Sequence, residues 1–350
     1  MVLSVETPVL TIVNGETGQV AGKVSLANPV EVGSLSSDRS TLFLAEDGTS
    51  PGELLALDTR SFQVRWSEAQ STTLQPRFDR WNGVAVAAYG SIAPTSDGKR
   101  LYVTPAWRES DKLGVAVLDG GTRNLIAFGA DPLGVGWQGL IIVPPTSTAP
   151  QGTLLATGAR DLDAVPVVDW LFEIDPNTLA VVDSSSVVAV PNGGSRYLLN
   201  PVIAPDSRYV YLIGVSSSGN LYKYDVSTRQ VVASAPGQSL ILAISPDGRT
   251  IYQPRPSSGP GTPASLVMYD ESLNIIARID LPDIDGVPPV LQNLAISPDG
   301  SRVYLTAGTG SAVVDGGTQR GHLIAVDPAS RRVLWTIPLG IWAPSQVFVR

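Results

Sequence analysis

Short apolar runs recur along the whole chain, alternating with polar residues at a period of two and cut by clusters of Gly, Pro, Asp, Asn and Ser. Segments such as Leu221-Tyr-Lys-Tyr-Asp225 and Val303-Tyr-Leu-Thr306 send successive side chains to opposite faces, which predicts strands rather than helices. Two phrases punctuate these strands. The first is Ser245-Pro-Asp-Gly248 and Ser297-Pro-Asp-Gly300, with looser copies at Ser37-Asp38, Ser96-Asp-Gly98 and Ala204-Pro-Asp206. Pro presets φ, Asp bonds the following amides and Gly accepts a left-handed residue, so each copy predicts a hairpin turn.

The second phrase is a strand ending in Asp or Asn, two residues, then usually Ser or Thr. It begins at Asn14, Asp58, Asp119, Asp175, Asp225, Asp270 and Asp327, at intervals of 44 to 61 residues. Such a period suits four-stranded propeller blades better than helical repeats. With the strands of a blade named A to D outward from the channel, A falls near Val30–Ser36, Ser91–Thr95, Gly139–Val143, Pro201–Ala204, Ile241–Ser245, Leu294–Ser297 and Gln346–Arg350. The last copy ends the chain before any B strand, and Met1–Glu6, Val9–Asn14 and Val20–Leu26 read as the missing B, C and D. The expected fold is therefore all-β: a single seven-bladed β-propeller of four-stranded antiparallel blades over residues 1–350. Its ring is closed by three N-terminal strands and one C-terminal strand, in a blade shared by residues 1–26 and 346–350. Closure leaves only short sheet edges.

Leu101-Tyr-Val-Thr104, Val303-Tyr-Leu-Thr306, the strand–Asp–x–x–Thr turns, the Ser-Pro-Asp-Gly turns and Ile337-Pro-Leu-Gly340 together resemble the YVTN-type β-propeller repeats of bacteria and archaea. The resemblance covers nearly the whole chain. It implies binding at a cell surface or in the periplasm, or service as a subunit of a redox enzyme. The third blade departs most from the pattern, since Gly139-Leu-Ile-Ile-Val-Pro-Pro145 runs to Gly152 without an Asp turn.

Composition agrees with a turn-rich chain. The 34 glycines and 28 prolines oppose long helices, and charged residues are only 16 %, which removes disorder by charge excess. The net charge is −8 and the basic residues form no run, so neither a nucleic-acid footprint nor membrane insertion is expected. No apolar stretch reaches the ~20 residues of a bilayer span. Without cysteine there is no disulfide, thiolate metal site or thiol nucleophile. The first residues lack the basic flank and cleavage site of a signal peptide. An extracellular, periplasmic or cell-surface location is expected, with the cytoplasm as the alternative, and the chain is expected to be monomeric.

Catalytic motifs are scarce. His322 is the single histidine, so any Ser–His–Asp set or imidazole metal site depends on it alone. Gly134-Val-Gly136-Trp-Gln-Gly139 matches a dinucleotide fingerprint, but a Pro-stopped strand follows it where a helix is needed. Asp161, Asp163 and Asp169, and Asp283 with Asp285, read as solvated turns because the spacing of a calcium loop is absent. Trp66 and Trp335 look like the docking tryptophans of quinone-binding blades, yet only two of seven blades carry them, and blade-to-blade packing is the better reading. No organic cofactor is predicted; a metal ion held by Asp and Asn at the channel mouth is the one candidate.

Loops joining D to A and B to C leave one face of a propeller, and both Asp turns leave the other. The loop face is expected to carry Arg77, Arg80, Trp81, Trp107, Arg108, Trp137, Gln138, Arg196, Tyr197, Asn200, Arg255, Gln292, Asn293, His322, Trp342 and Gln346. Trp, Tyr and Arg anchor interfaces, and the amides at the starts of A strands suit a neutral polar ligand or ordered water. The expected function is non-catalytic binding or scaffolding of a protein, polar small molecule or carbohydrate. The alternatives are a lactonase-like hydrolase or lyase at the channel mouth, and a structural subunit of a redox complex.

Overall fold

The computed structural model describes residues 1–6, 9–26, 30–46, 54–67, 89–105, 114–122, 124–129, 139–144, 152–160, 168–189, 198–214, 220–237, 239, 241–259, 261–309, 320–340 and 346–350. Among these, every regular element is a strand, and no helix is long and apolar enough to cross a membrane. The 28 strands form seven four-stranded antiparallel sheets. Six sheets are each built from four consecutive strands, within residues 30–67, 89–129, 139–189, 198–236, 243–280 and 290–340. The remaining sheet is discontinuous: β28 (Gln346–Val349) pairs with β1 (Val2–Glu6), followed by β2 (Val9–Val13) and β3 (Val20–Ser25). Its register sets Val2 opposite Val349 and Val5 opposite Gln346.

The chain divides into two compact units. Residues 1–30 and 235–350 hold three sheets, and residues 31–234 hold four. Within each unit the sheets stack through apolar faces, and period two sorts side chains between neighbours. In the 31–234 unit, Leu101, Val103, Ala116 and Leu118 pack against Phe43 and Leu54 of the preceding sheet. Tyr102, Val115 and Val117 turn the other way, against Leu154, Phe172 and Ile174 of the next. The middle strands are buried on both faces, so they read as near-continuous apolar runs. In the other unit, Tyr304, Leu323 and Ala325 pack against Val2, Val13, Val347 and Val349 of the discontinuous sheet. Trp335 packs against that cluster, with its ring 6.0 Å from Tyr304 of its own sheet and beside Gly18 of the discontinuous one, so it serves sheet-to-sheet packing.

Both predicted turns form, and their side chains build them. In the first, Ser36, Thr95, Ser245 and Ser297 donate to Asp38, Asp97, Asp247 and Asp299 at 2.5–2.7 Å and accept the amide five residues on. Gly98, Gly248 and Gly300 supply the left-handed residue, and Arg39 and Ser207 adopt the same conformation where glycine is missing. In the second, one side-chain oxygen of Asn14, Asp58, Asp119, Asp175, Asp225, Asp270 and Asp327 accepts two backbone amides of its own turn. Four of these Asx turns close through Gly18, Phe62, Leu179 and Arg229, whose amides donate to the first residue's carbonyl. Each of the four has a positive φ.

Tyrosines tie consecutive sheets together. The Tyr102 hydroxyl donates to the Pro176 carbonyl at 2.8 Å, reaching the Asx turn of the next sheet. Tyr304 does the same to Gly15 at 3.1 Å, beside an Arg302 donor at 3.2 Å. A third tie is ionic: Arg229 forks onto buried Glu173 at 2.7 and 3.0 Å and reaches Asp183 at 2.6 Å. Burial pushes the Glu173 carboxyl above its usual range, with Arg229 opposing.

Candidate ligand-binding face

In an antiparallel sheet with short turns at one end, the other end collects the starts of the first and third strands and the ends of the second and fourth. The turn end is chemically self-contained. Its carboxylates accept hydrogen bonds from their own turns, which hold Asp38 and Asp299 at about 2 and shift Asp97, Asp119, Asp175, Asp247 and Asp327 downward. Such groups stay ionised and are poor proton donors near neutrality.

The opposite end differs. In β24 (Val290–Ile296) the register slips between Leu291 and Asn293, so Gln292 has no partner across the ladder and its side chain is exposed. A bulge re-aims side chains in this way. β16 (Leu198–Ile203) slips between Leu199 and Val202, which places Asn200 in a bulge too. Asn293 is half-buried, and its Nδ2 donates to the Gln346 Oε1 at 3.4 Å, bridging the middle of β24 and the start of β28. A second polar chain crosses the 243–280 sheet, where Tyr269 donates to the Gln253 Oε1 at 3.3 Å and the Gln253 Nε2 donates to the Ser239 carbonyl at 2.8 Å. Gln253 is fully buried, so its amide is satisfied by this chain and holds the Ser239 backbone in place. Arg255 ends its strand opposite Ser265 and makes no ion pair among the described residues.

His322 is third in β26 (Arg320–Asp327), an inner strand, and lies between Ala307 and Pro338 of the flanking strands. It is 5 % exposed, not presented at a rim. Its Nε2 stands 3.5 Å from the Thr309 hydroxyl. Burial pushes its pKa below the usual value, Asp285 partly opposes this, and Arg320 adds to it. Asp285 and Arg320 face each other at 3.5 Å, both largely exposed. Asp285 and Gly286 form a two-residue turn with φ of 53° and 79°, closed by paired bonds between Ile284 and Val287. Asp-Gly is the sequence signal of such a turn, and it would have located this ion pair's acidic partner.

The structure thus brings Asn293 and Gln346 together, exposes Gln292, leaves Arg255 at a strand end and buries His322. Arg77, Arg80, Trp81, Trp107, Arg108, Trp137, Gln138, Arg196, Tyr197 and Trp342 lie outside the described residues. The Gln253–Tyr269 chain follows from pairing between strands and the Asp285–Arg320 pair from a loop turn meeting a distant strand start, so neither shows in a local sequence pattern. Among the described residues no three His, Cys, Asp or Glu side chains stand close enough to hold a metal ion.

No protein-family model and no curated protein matches the chain. Solved structures do. One from Desulfotomaculum acetoxidans, described as functionally unknown, superposes with a TM-score of 0.67 at 13 % identity, covering 99 % of this chain and 98 % of the other. The Cps50 (Swd1) β-propeller domain of Myceliophteria thermophila gives 0.60 at 11 % identity, covering 89 % and 87 %. A chain of Kuenenia stuttgartiensis hydrazine synthase gives 0.58 at 15 % identity, covering 95 % and 90 %. At these identities the likeness concerns fold alone, and the fold is a β-propeller of four-stranded antiparallel blades.

Proposed function

We propose that the seven sheets are the blades of one ring formed by residues 1–350, closed by the sheet that β28 shares with β1, β2 and β3. We further propose that the protein is a non-catalytic binding or scaffolding propeller, monomeric and exported or surface-associated, that recognises a protein or a neutral polar ligand with its loop face. One observation carries the reading. The groups that meet between β24 and β28 are amides, Asn293 against Gln346, whereas the only imidazole is buried within its sheet. Amides donate and accept without titrating, which suits recognition of hydroxyl and amide groups rather than proton transfer.

Thermal-shift titration with a panel of neutral saccharides and amides tests this. A ligand that raises the melting temperature of the wild-type protein is expected to lose its effect in an Asn293→Ala/Gln346→Ala variant. Lactone or ester turnover that vanishes in His322→Ala would overturn the reading in favour of a hydrolase. A second reading, a bracing subunit in a redox-enzyme assembly, is favoured by the likeness to the hydrazine synthase chain. Under that reading the protein isolated undenatured from its host carries a partner with a visible-light chromophore.

A further inference from the structure

Six of the seven Asx turns begin with Asp; the seventh begins with Asn14, which is followed by Gly15. We propose that Asn14 is a site of spontaneous deamidation whose aspartyl product fits the native turn. In this reaction the Gly15 backbone nitrogen attacks the Asn14 Cγ. A new N–Cγ bond forms, the Cγ–Nδ2 bond breaks, and the amide group leaves as ammonia with the proton released from the Gly15 nitrogen. Water then opens the five-membered imide to aspartate or to its β-linked isomer.

The local geometry supplies the reactants. The Asn14 side chain is exposed, and the Gly15 N–H donates to no backbone carbonyl among the described residues. Glycine offers the attacking nitrogen the least steric hindrance. Its presence is imposed from the other side, because a Cβ at position 15 would stand 2.4 Å from the Tyr304 hydroxyl that donates to the Gly15 carbonyl. The tyrosine tie between sheets therefore dictates the residue that makes Asn14 labile.

The product is accommodated because its geometry already recurs. Asn14 accepts the Glu16 and Thr17 amides at 2.8 and 3.2 Å, as Asp58 accepts those of Arg60 and Ser61 and Asp175 those of Asn177 and Thr178. Those bonds strengthen when the acceptor is ionised. Asn14 lines one groove of about 570 Å³ together with Arg302, Arg350, Glu16 and Asp299, so the new charge joins a groove that already holds both signs. The β-linked isomer runs the backbone through Cβ and Cγ and takes the Asn14 carbonyl, which accepts the Gly18 amide at 2.9 Å, out of the main chain, so it alters the turn that the α-linked product keeps.

Peptide mapping by mass spectrometry, on folded protein held in mildly alkaline buffer, tests the site. Urea-unfolded chain is the reference, and Asn82-Gly83 and Asn192-Gly193 are matched dipeptides in the same samples. The expected result is progressive amide-to-acid conversion at Asn14 in the folded protein, with a larger share of α-linked aspartate than in the unfolded chain. Asn14→Asp is expected to fold with a melting temperature at or above that of the wild type. No conversion at Asn14 while the unfolded reference converts would overturn the site. A lowered melting temperature of Asn14→Asp would overturn the fit.

Discussion

Removing the Tyr102 hydroxyl isolates the contribution of one tie between neighbouring sheets. Tyr102 is 1 % exposed, and its hydroxyl is 2.8 Å from the Pro176 carbonyl, which is buried with it. In Tyr102→Phe the ring keeps its packing against Leu154 and Phe172, so little apolar burial is lost. The hydrogen bond goes, and the carbonyl is left in a site closed to water. That combination costs about 1–3 kcal/mol. Tyr304→Phe is the built-in control, because the Gly15 carbonyl keeps the Arg302 donor at 3.2 Å, and its expected cost is only about 0.5–1.5 kcal/mol. Urea unfolding followed by far-ultraviolet circular dichroism reads the difference as a lower midpoint at unchanged slope. Equal losses in the two variants, or a greater loss in Tyr304→Phe, would refute the argument that an orphaned carbonyl dominates the cost.

Proton nuclear magnetic resonance of His322, the only imidazole in the chain, is expected to show a pKa below 6.5, since burial is the main cause of its shift. The stability that depends on neutral His322 is then complete above the unfolded value and is lost as the pH falls through the folded one, a slope that His322→Asn should flatten. At lower pH, Asp38 and Asp299 titrate near 2 in the folded protein against 3.8 for a free carboxyl. Their contribution is present above 3.8 and lost as pH falls through about 2, so Asp299→Asn should reduce acid sensitivity in that window in thermal melts. Two glycines separate backbone strain from crowding. A Cβ on Gly98 meets nothing within 4 Å, so Gly98→Ala should cost only the left-handed penalty of about 1–2 kcal/mol. A Cβ on Gly120 would lie 2.0 Å from the Gly98 carbonyl oxygen, and Gly120→Ala should lower the melting temperature by clearly more.

Much of the fold was legible because its punctuation is local. Ser-Pro-Asp-Gly and Asp–x–x–Thr fix their own backbone within five residues, so the strands that flank them fall where the sequence places them, and β28 pairs with the N-terminal strand β1. The closing residue of the Asx turn was less legible: Phe62, Leu179 and Arg229 hold a conformation that sequence rules reserve for Gly and Asn. Their amides bond to the Asp58, Asp175 and Asp225 carbonyls, and that bond offsets the steric cost. Tyr102 and Tyr304 could be read as strand residues, yet their acceptors lie 74 and 289 positions away, beyond any local pattern. The ligand face was legible in residue type more than in geometry. Asn293 and Gln346 meet through a hydrogen bond that no local pattern announces, and His322, expected near a rim, is enclosed because it sits three residues into an inner strand.

The discontinuous sheet also sets an order of events during synthesis. β1 is made before its partner β28, so Val2 waits for Val349 while all the intervening strands are synthesised. Contacts so distant in sequence are slow to form, and an unpaired strand edge invites pairing with other chains. The nascent chain must keep the edge of β1 from foreign strands while the six consecutive sheets assemble behind it. Formation of the β28–β1 ladder covers that edge, and chaperone demand should fall once the ladder has formed.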